Sequence, residues 1–343
     1  MERKINEELL KWKRDIFNKP LFLYGPRCIG KTFSVLEFGE KYYQNIAYFN
    51  MDNNEKLYSV LEKEKVLDKL INKLSLLCGE TIFKEDTLIV FDNCNEERFM
   101  KVLKVFAREN SLYPVIIISC NKIALNKCRI EEYYYRGMTN MDFFEYLTNT
   151  DKVQLIDFIK DSYENNTPMP FHQMALDAYY EYLETGGMPE VIAAKLSGAS
   201  KLYLDAIKIK ISNIYKGEYA LYDNGTTLLR SEEIMKILPL SLTKDNKKFQ
   251  YGLIKKGARS KDYETSINNL VTNGIINRSF RLTDVKSPLS SFRDIESFKL
   301  YFNDAGLLYT ALFLNNTKLL TDNDIKRSVI ENDVANTLVK LGY

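Results

Sequence analysis

The sequence predicts an α/β fold for the first part of the chain, with a parallel sheet flanked by helices. A short apolar run at 21–24 breaks into a glycine-framed loop, which leads into a helical pattern. Two further runs, at 87–92 and 113–119, are continuously apolar between their terminal residues, which is typical of strands buried on both faces. Strands that alternate with helices imply right-handed crossovers, so ligands are expected at the carboxyl ends of parallel strands.

The other elements of this part follow from the spacing of apolar residues. Ile5, Leu9, Trp12 and Ile16 recur at helical spacing, which predicts an amphipathic helix over 2–17. We also expect a short strand at 45–50 and helices at 32–43, at 54–77 and around 99–106.

Helical periodicity dominates from about residue 140, and this indicates a helical lid module. Further on, a helix from Ser231 is expected to end at Pro239, and a pair of helices is expected at 246–256 and 261–271. The alternating strands expected at 275–282 and 298–302 complete the order of a winged helix. The predicted domains are 1–138, 139–228, 229–315 and 316–343.

Composition narrows the class of protein. The formal net charge is +2, so general basicity does not indicate a nucleic-acid partner. The five cysteines include no Cys-x-x-Cys pair, and His172 is the single histidine, which argues against a histidine triad or cluster. The N-terminus is too polar for a signal peptide, and no apolar run reaches the ~20 residues of a membrane span. We expect a cytoplasmic protein with reduced thiols.

The loop after the first strand fits the pattern Gly-x-x-x-x-Gly-Lys-Thr, known as the P-loop or Walker A motif. Glycines let the backbone curl so that its amides face phosphate oxygens, and the following helix adds its positive end. Lys31 is expected to reach the β- and γ-phosphates, and the Thr32 hydroxyl to ligate Mg²⁺. The predicted nucleotide-binding residues are Gly25, Pro26, Arg27, Cys28, Ile29, Gly30, Lys31 and Thr32.

Asp92 ends the central apolar strand, where a second acidic group would hold Mg²⁺ through water, although it could instead cap a helix. The next residue is Asn93, and an amide cannot act as a general base. Glu96 is the nearest other carboxylate for catalysis, but it could equally be a first-turn glutamate that the helix dipole favours. After the next strand, Asn121 is the candidate sensor of the γ-phosphate, with a polar turn as the alternative.

A cluster of lysines near residue 250 is the candidate nucleic-acid contact. On a winged helix it could meet DNA phosphates, although charge runs are usually solvated helix faces. Arg259 is the alternative link back to the nucleotide. The lysines concerned are Lys247, Lys248, Lys255 and Lys256.

These segments carry a resemblance. The chain resembles the prokaryotic AAA-superfamily predicted ATPases that join a P-loop domain to a winged helix and a C-terminal endonuclease-like domain of unknown function. The resemblance implies ATP rather than GTP and supports Asp92 as the Walker B acid. The segments that carry it are 19–32, 88–92, 140–147, 186–190, 246–251, 256–259, 298–301 and 304–308.

The chain departs from this family in three places. Members commonly have Asp-Glu where this chain has Asp92-Asn93, and Gly-Ser where it has Ser119-Cys120. The segment 331–343 resembles only the opening helix of the endonuclease-like domain, so we expect a truncated chain and no nuclease activity.

Together these observations predict an ATP-binding, Mg²⁺-dependent switch whose hydrolysis is slow because Asn93 replaces the usual glutamate. ATP is expected between the α/β domain and the helical module. The alternative is a winged-helix DNA-binding regulatory or defence module in which nucleotide is structural. A homo-oligomer or a protein partner is compatible with either, and the arginine-finger candidates are Arg108, Arg136 and Arg259.

Overall fold

The computed structural model describes residues 1–15, 19–108, 112–121, 133–222, 225–314 and 322–342. The chain divides into two compact units, Met1–Thr139 and Asn140–Tyr343. The predicted N-terminal helix is seen at Ile5–Lys13, and its expected last residues, Ile16 and Phe17, lie outside the described residues.

The first unit is a five-stranded parallel sheet flanked by helices, and this confirms the predicted fold class. The strand order is β2-β3-β4-β1-β5. Its strands are β1 (Leu21–Tyr24), β2 (Asn45–Asn50), β3 (Thr87–Asp92), β4 (Val115–Ser119) and β5 (Tyr134–Gly137). Its helices are α1 (Ile5–Lys13), α2 (Lys31–Tyr42), α3 (Glu55–Lys63), α4 (Leu67–Cys78) and α5 (Glu97–Arg108).

The core of this unit lies around β3, in which all six residues are buried. Phe91 on β3 stacks on Phe49 of β2, with 5.4 Å between the ring centroids. Burial on both faces explains why β3 reads as a continuous apolar run. The sequence did not predict β5. Among the described residues this strand pairs only with β1, at the edge of the sheet, and it has a polar, half-buried sequence.

The second unit is mostly helical and contains one antiparallel hairpin. The hairpin strands are β6 (Ile276–Leu282) and β7 (Arg293–Phe302), with an irregular register at Phe280/Arg281. The helices are α6 (Phe143–Asn149), α7 (Gln154–Glu164), α8 (His172–Thr185), α9 (Pro189–Leu196), α10 (Lys201–Tyr222), α11 (Gly225–Leu242), α12 (Ser260–Thr272), α13 (Ala305–Leu314) and α14 (Asp322–Lys340). Among the described residues, no helix combines the length and apolarity that crossing a membrane requires.

Two sequence predictions fail in this unit. Pro239 lies inside α11 and does not end it, because only the last turn lies beyond the proline and few helical hydrogen bonds are affected. The predicted helix at 246–256 is absent apart from a single 3-10 turn at Tyr251–Leu253. Here Phe249 is held by tertiary contacts, since its N–H donates to the Phe298 carbonyl and its ring stacks on Phe298.

The chain order α11, α12, β6, β7 is that of the predicted winged helix, with α11 against α12 and α12 against β6. The winged-helix assignment itself stays a prediction. Helix α14 packs within the second unit, where Asn332 exchanges two hydrogen bonds with the backbone of Phe302 on β7. Its assignment to a further domain starting at 316 likewise stays a prediction.

A buried carboxylate organises the start of the second unit. Asp304 is fully buried and accepts hydrogen bonds from the Asn140 side-chain amide, the Gly187 N–H and the Leu307 N–H. It therefore joins the first residue of this unit to the turn between α8 and α9 and to the beginning of α13. Gly186 approaches the same carboxylate so closely that a Cβ atom would lie 2.2 Å from Oδ1.

Replacing Asp304 with alanine is expected to lower the free energy of unfolding by about 3 kcal/mol, because three buried donors would lose their acceptor. Urea denaturation followed by circular dichroism measures the loss. The control is Asp284→Ala, which removes a surface partner of Lys286 and should cost no more than about 0.5 kcal/mol. Equal stability of the two variants would contradict the structural role of Asp304.

Candidate nucleotide-binding site

The glycine loop connects the end of β1 to the beginning of α2, as the motif requires. Gly30 adopts a left-handed conformation with φ 89° at the position before α2, and Cys28 does so with φ 65°. These conformations turn the chain sharply just before the positive end of the helix dipole. The loop therefore presents a helix N-terminus and several backbone amides at the carboxyl end of β1.

Gly25 is required for a steric reason. A Cβ atom at this position would lie 2.1 Å from the carbonyl oxygen of Met138, which follows β5. The amide of Met138 in turn donates to the Tyr24 carbonyl at 2.8 Å. The beginning of the loop thus rests directly on the backbone that leaves β5, and no larger residue fits there.

Lys31 is folded back onto its own loop. Its ammonium group donates to the carbonyl oxygens of Gly25, at 2.7 Å, and Pro26, at 2.6 Å, and the residue is only 8% exposed. Burial lowers the pKa of Lys31 to about 8, although nearby Cys120 and Asp92 oppose the shift. An incoming phosphate would offer this buried cation a charged acceptor in place of neutral carbonyls.

The two residues predicted to hold Mg²⁺ are brought together. The Thr32 hydroxyl donates to Oδ2 of Asp92 at 2.6 Å, and the Tyr48 hydroxyl donates to the same oxygen at 2.9 Å. Burial, and secondly the carboxylate, raise the pKa of Tyr48, so its hydroxyl remains a donor. A hydroxyl and a carboxylate side by side are ligands that suit Mg²⁺, which keeps most of its waters and takes phosphate oxygens.

Asn93 is held next to this pair. Its backbone N–H donates to Oδ1 of Asp92 at 2.7 Å, and its side-chain amide donates to Oδ1 of Asn50 at 2.9 Å. The φ of Asn93 is 60°, a left-handed conformation that asparagine tolerates better than glutamate does. The position therefore suits an amide, and it lacks the carboxylate that would activate water.

Glu96 is arranged as a surface residue. Its side chain is 53% exposed and pairs with Arg98 at 2.9 Å, and Arg98 also pairs with Glu55 at 2.8 Å. This ion-pair network supports the alternative interpretation of Glu96 as a surface residue, and its catalytic role stays a prediction.

The predicted sensor region contains a residue that the sequence did not point out. Asn95 is buried, and its Oδ1 accepts hydrogen bonds from the Ser119 hydroxyl at 3.2 Å and the Cys120 N–H at 2.8 Å. It fastens the loop after β3 to the end of β4. Asn121 is 2% exposed and its amide donates to the Cys120 sulfur at 3.4 Å. Its role as a sensor stays a prediction.

The candidate arginine fingers differ in their surroundings. The Arg136 guanidinium pairs with Glu8 of α1 within the first unit. The side chain of Arg108 lies outside the described residues. Arg259 is exposed and directly precedes α12 in the second unit. None of these contacts selects one of the three as an arginine finger.

The lysine cluster is split by the structure. Lys247 is buried and its ammonium pairs with Glu331 of α14, so it is unsuited to contacting DNA phosphates. Lys248, Lys255 and Lys256 are exposed, and Lys255 makes a surface ion pair with Glu233 at 3.5 Å. DNA binding through these three lysines stays a prediction.

Family comparisons agree with the fold of the first unit. Residues 17–147 match the family model described as an AAA domain. Residues 176–318 match the model of a domain of unknown function, DUF8612, which spans part of the predicted lid and all of the predicted winged helix. No curated protein matches the chain. The AAA match and the observed sheet support a nucleotide-binding protein of the AAA type.

One solved structure with similarity to the chain is that of PCH-2 from C. elegans. The similarity covers 46% of this chain and 47% of the PCH-2 chain, with 13% sequence identity and a TM-score of 0.28. The chain thus matches about half of the PCH-2 chain. At this level of similarity, nothing about function transfers from one protein to the other.

Proposed function

We propose that the protein binds ATP with Mg²⁺ in the first unit and acts as a nucleotide-dependent switch with slow hydrolysis. The observation that carries the proposal is the Thr32–Asp92 hydrogen bond beside the buried ammonium of Lys31. A buried cation and a Mg²⁺-type ligand pair at a helix N-terminus form the chemistry that recognises a nucleoside triphosphate.

Each group has a separate role in this proposal. The loop amides and Lys31 bind the β- and γ-phosphates, while Thr32 and Asp92 hold the metal. Bound Mg²⁺ would neutralise charge on the phosphate oxygens. Asn93 can donate a hydrogen bond to a water molecule but cannot remove its proton, so the bound ATP is expected to persist.

The switch role depends on persistence of the bound nucleotide. A site in which bound ATP is hydrolysed only slowly is better suited to regulating the second unit than to continuous turnover. The residues of the DUF8612 match would then be the responding part of the chain. Assembly into a homo-oligomer, or with a protein partner, is compatible with this proposal.

The test is ATP affinity measured by isothermal titration calorimetry in the presence of Mg²⁺. Lys31→Ala is expected to weaken binding at least tenfold, because a charge-assisted contact to phosphate is lost. The matched control is Lys41→Ala, which removes an exposed lysine from the other end of α2 and should leave affinity unchanged. Equal affinity of the wild type and Lys31→Ala would refute the proposal.

A further inference from the structure

Arg3 lies just before α1 and reaches the nucleotide loop from the N-terminal end of the chain. The residue is 8% exposed. Its Nη1 donates to the Ile29 carbonyl at 2.8 Å, and its Nη2 donates to the Thr139 carbonyl at 2.7 Å. A single guanidinium group therefore connects the last part of the loop to the backbone that follows β5.

The hydrogen bond from Arg3 to the Ile29 carbonyl affects phosphate binding through the peptide bond between Ile29 and Gly30. In a trans peptide the carbonyl and the following N–H point in opposite directions across one plane. Because Arg3 holds the Ile29 carbonyl, the Gly30 N–H is directed away from Arg3. In a P-loop, the amides before the helix are the donors that face the phosphates.

This peptide plane needs an external constraint. Gly30, on one side of the plane, has φ 89°, and glycine resists rotation less than any other residue; Cys28, just before Ile29, is also in a left-handed conformation. Without a partner for the Ile29 carbonyl, the plane could rotate and turn its N–H away from the ligand.

The second carbonyl that Arg3 binds lies next to the surface on which the loop rests. Gly25 packs against the Met138 carbonyl, one residue before Thr139, and a Cβ on Gly25 would also lie 2.9 Å from Cδ1 of Ile29. Arg3 therefore ties the end of the loop to the same stretch of backbone that supports its beginning. The planar fork of arginine can serve two carbonyls at once, whereas lysine offers a point charge.

We propose that Arg3 is a positioning residue for nucleotide binding, which fixes the Ile29–Gly30 peptide so that its N–H can donate to a phosphate oxygen. The inference rests on the proposed function, because it concerns the same site. Arg3 does not touch the ligand itself. Its substitution is therefore expected to weaken binding of the phosphates through the loop.

The experiment uses the full chain with Arg3→Ala, Arg3→Lys and, as a matched control, Arg14→Ala, which removes an exposed arginine at the end of α1. Binding of ATP is measured by calorimetry, and binding of inorganic pyrophosphate by displacement of a fluorescent ATP analogue. Arg3→Ala should weaken the binding of both ligands roughly tenfold, since a charged hydrogen-bond donor is lost. Arg3→Lys should lie between Arg3→Ala and the wild type, and Arg14→Ala should match the wild type.

Chemical rescue separates positioning from general stabilisation. In Arg3→Ala, low millimolar guanidinium should raise the ATP affinity at least threefold relative to sodium at the same ionic strength. The ATP affinity of Lys31→Ala should not change with guanidinium. If Arg3→Ala does not fold, Arg3→Lys carries the affinity test. Wild-type affinity in the folded Arg3 variants, together with a weakened Lys31→Ala, would overturn this inference alone. Equal ATP affinity of the wild type and Lys31→Ala would instead overturn the proposed function.

Discussion

Replacing Gly25 with alanine is expected to destroy the nucleotide site and to destabilise the first unit by about 4 kcal/mol. The new Cβ would lie 2.1 Å from the Met138 carbonyl and 2.9 Å from Cδ1 of Ile29. The first of these neighbours is backbone held by β5, so it cannot move aside as a flexible side chain could. Trp12, the single tryptophan, is buried in this unit and reports its unfolding by fluorescence in a urea titration.

Gly79→Ala is the matched control in the same unit. Gly79 has φ 77° after α4, but a Cβ there meets no atom within 4 Å. Alanine at this position should therefore cost only about 1 kcal/mol, from the left-handed backbone alone. ATP binding should survive in Gly79→Ala and disappear in Gly25→Ala. Similar losses of stability in both variants would show that the close approach of Gly25 to Met138 does not set the effect.

The central features of the first unit could be predicted because their signals are local. The apolar run of β3 and the glycine pattern of the loop each lie within a few consecutive residues, and their secondary structure follows from burial and backbone geometry. The proximity of Thr32 and Asp92 followed from a general rule, since the carboxyl ends of parallel strands meet at one edge of a sheet.

Contacts between distant parts of the chain left no such signal. Arg3 and Ile29 are 26 residues apart, and Tyr48 and Asp92 are 44 apart, so neither pair could be recognised from spacing. Asn95 resembled any polar residue after a strand, and only the fold shows that it binds the end of β4. In the second unit, a helix was predicted at 246–256, but Phe249 contacts Phe298 and Lys247 pairs with Glu331 in a largely non-helical segment.

Introducing a carboxylate by Asn93→Glu is expected to raise the rate of ATP hydrolysis about a hundredfold, at the low end of what a general base contributes. Two features of the structure limit the gain. The left-handed conformation of Asn93 costs glutamate about 1 kcal/mol, and the hydrogen bond to Asn50 is lost. Steady-state release of phosphate, measured at saturating ATP and Mg²⁺, gives the turnover number.

Asn93→Gln is the control for this prediction, because glutamine has the length of glutamate but cannot accept a proton from water. If the carboxylate acts as a general base, only the glutamate variant should hydrolyse ATP faster than the wild type. Adding Lys31→Ala to that variant should abolish its ATP hydrolysis. Glu96→Gln should leave wild-type turnover unchanged, since Glu96 is exposed and paired with Arg98. If Asn93→Glu hydrolyses ATP no faster than Asn93→Gln, then the missing carboxylate is not what limits hydrolysis. The water must in that case be oriented by another group of the first unit.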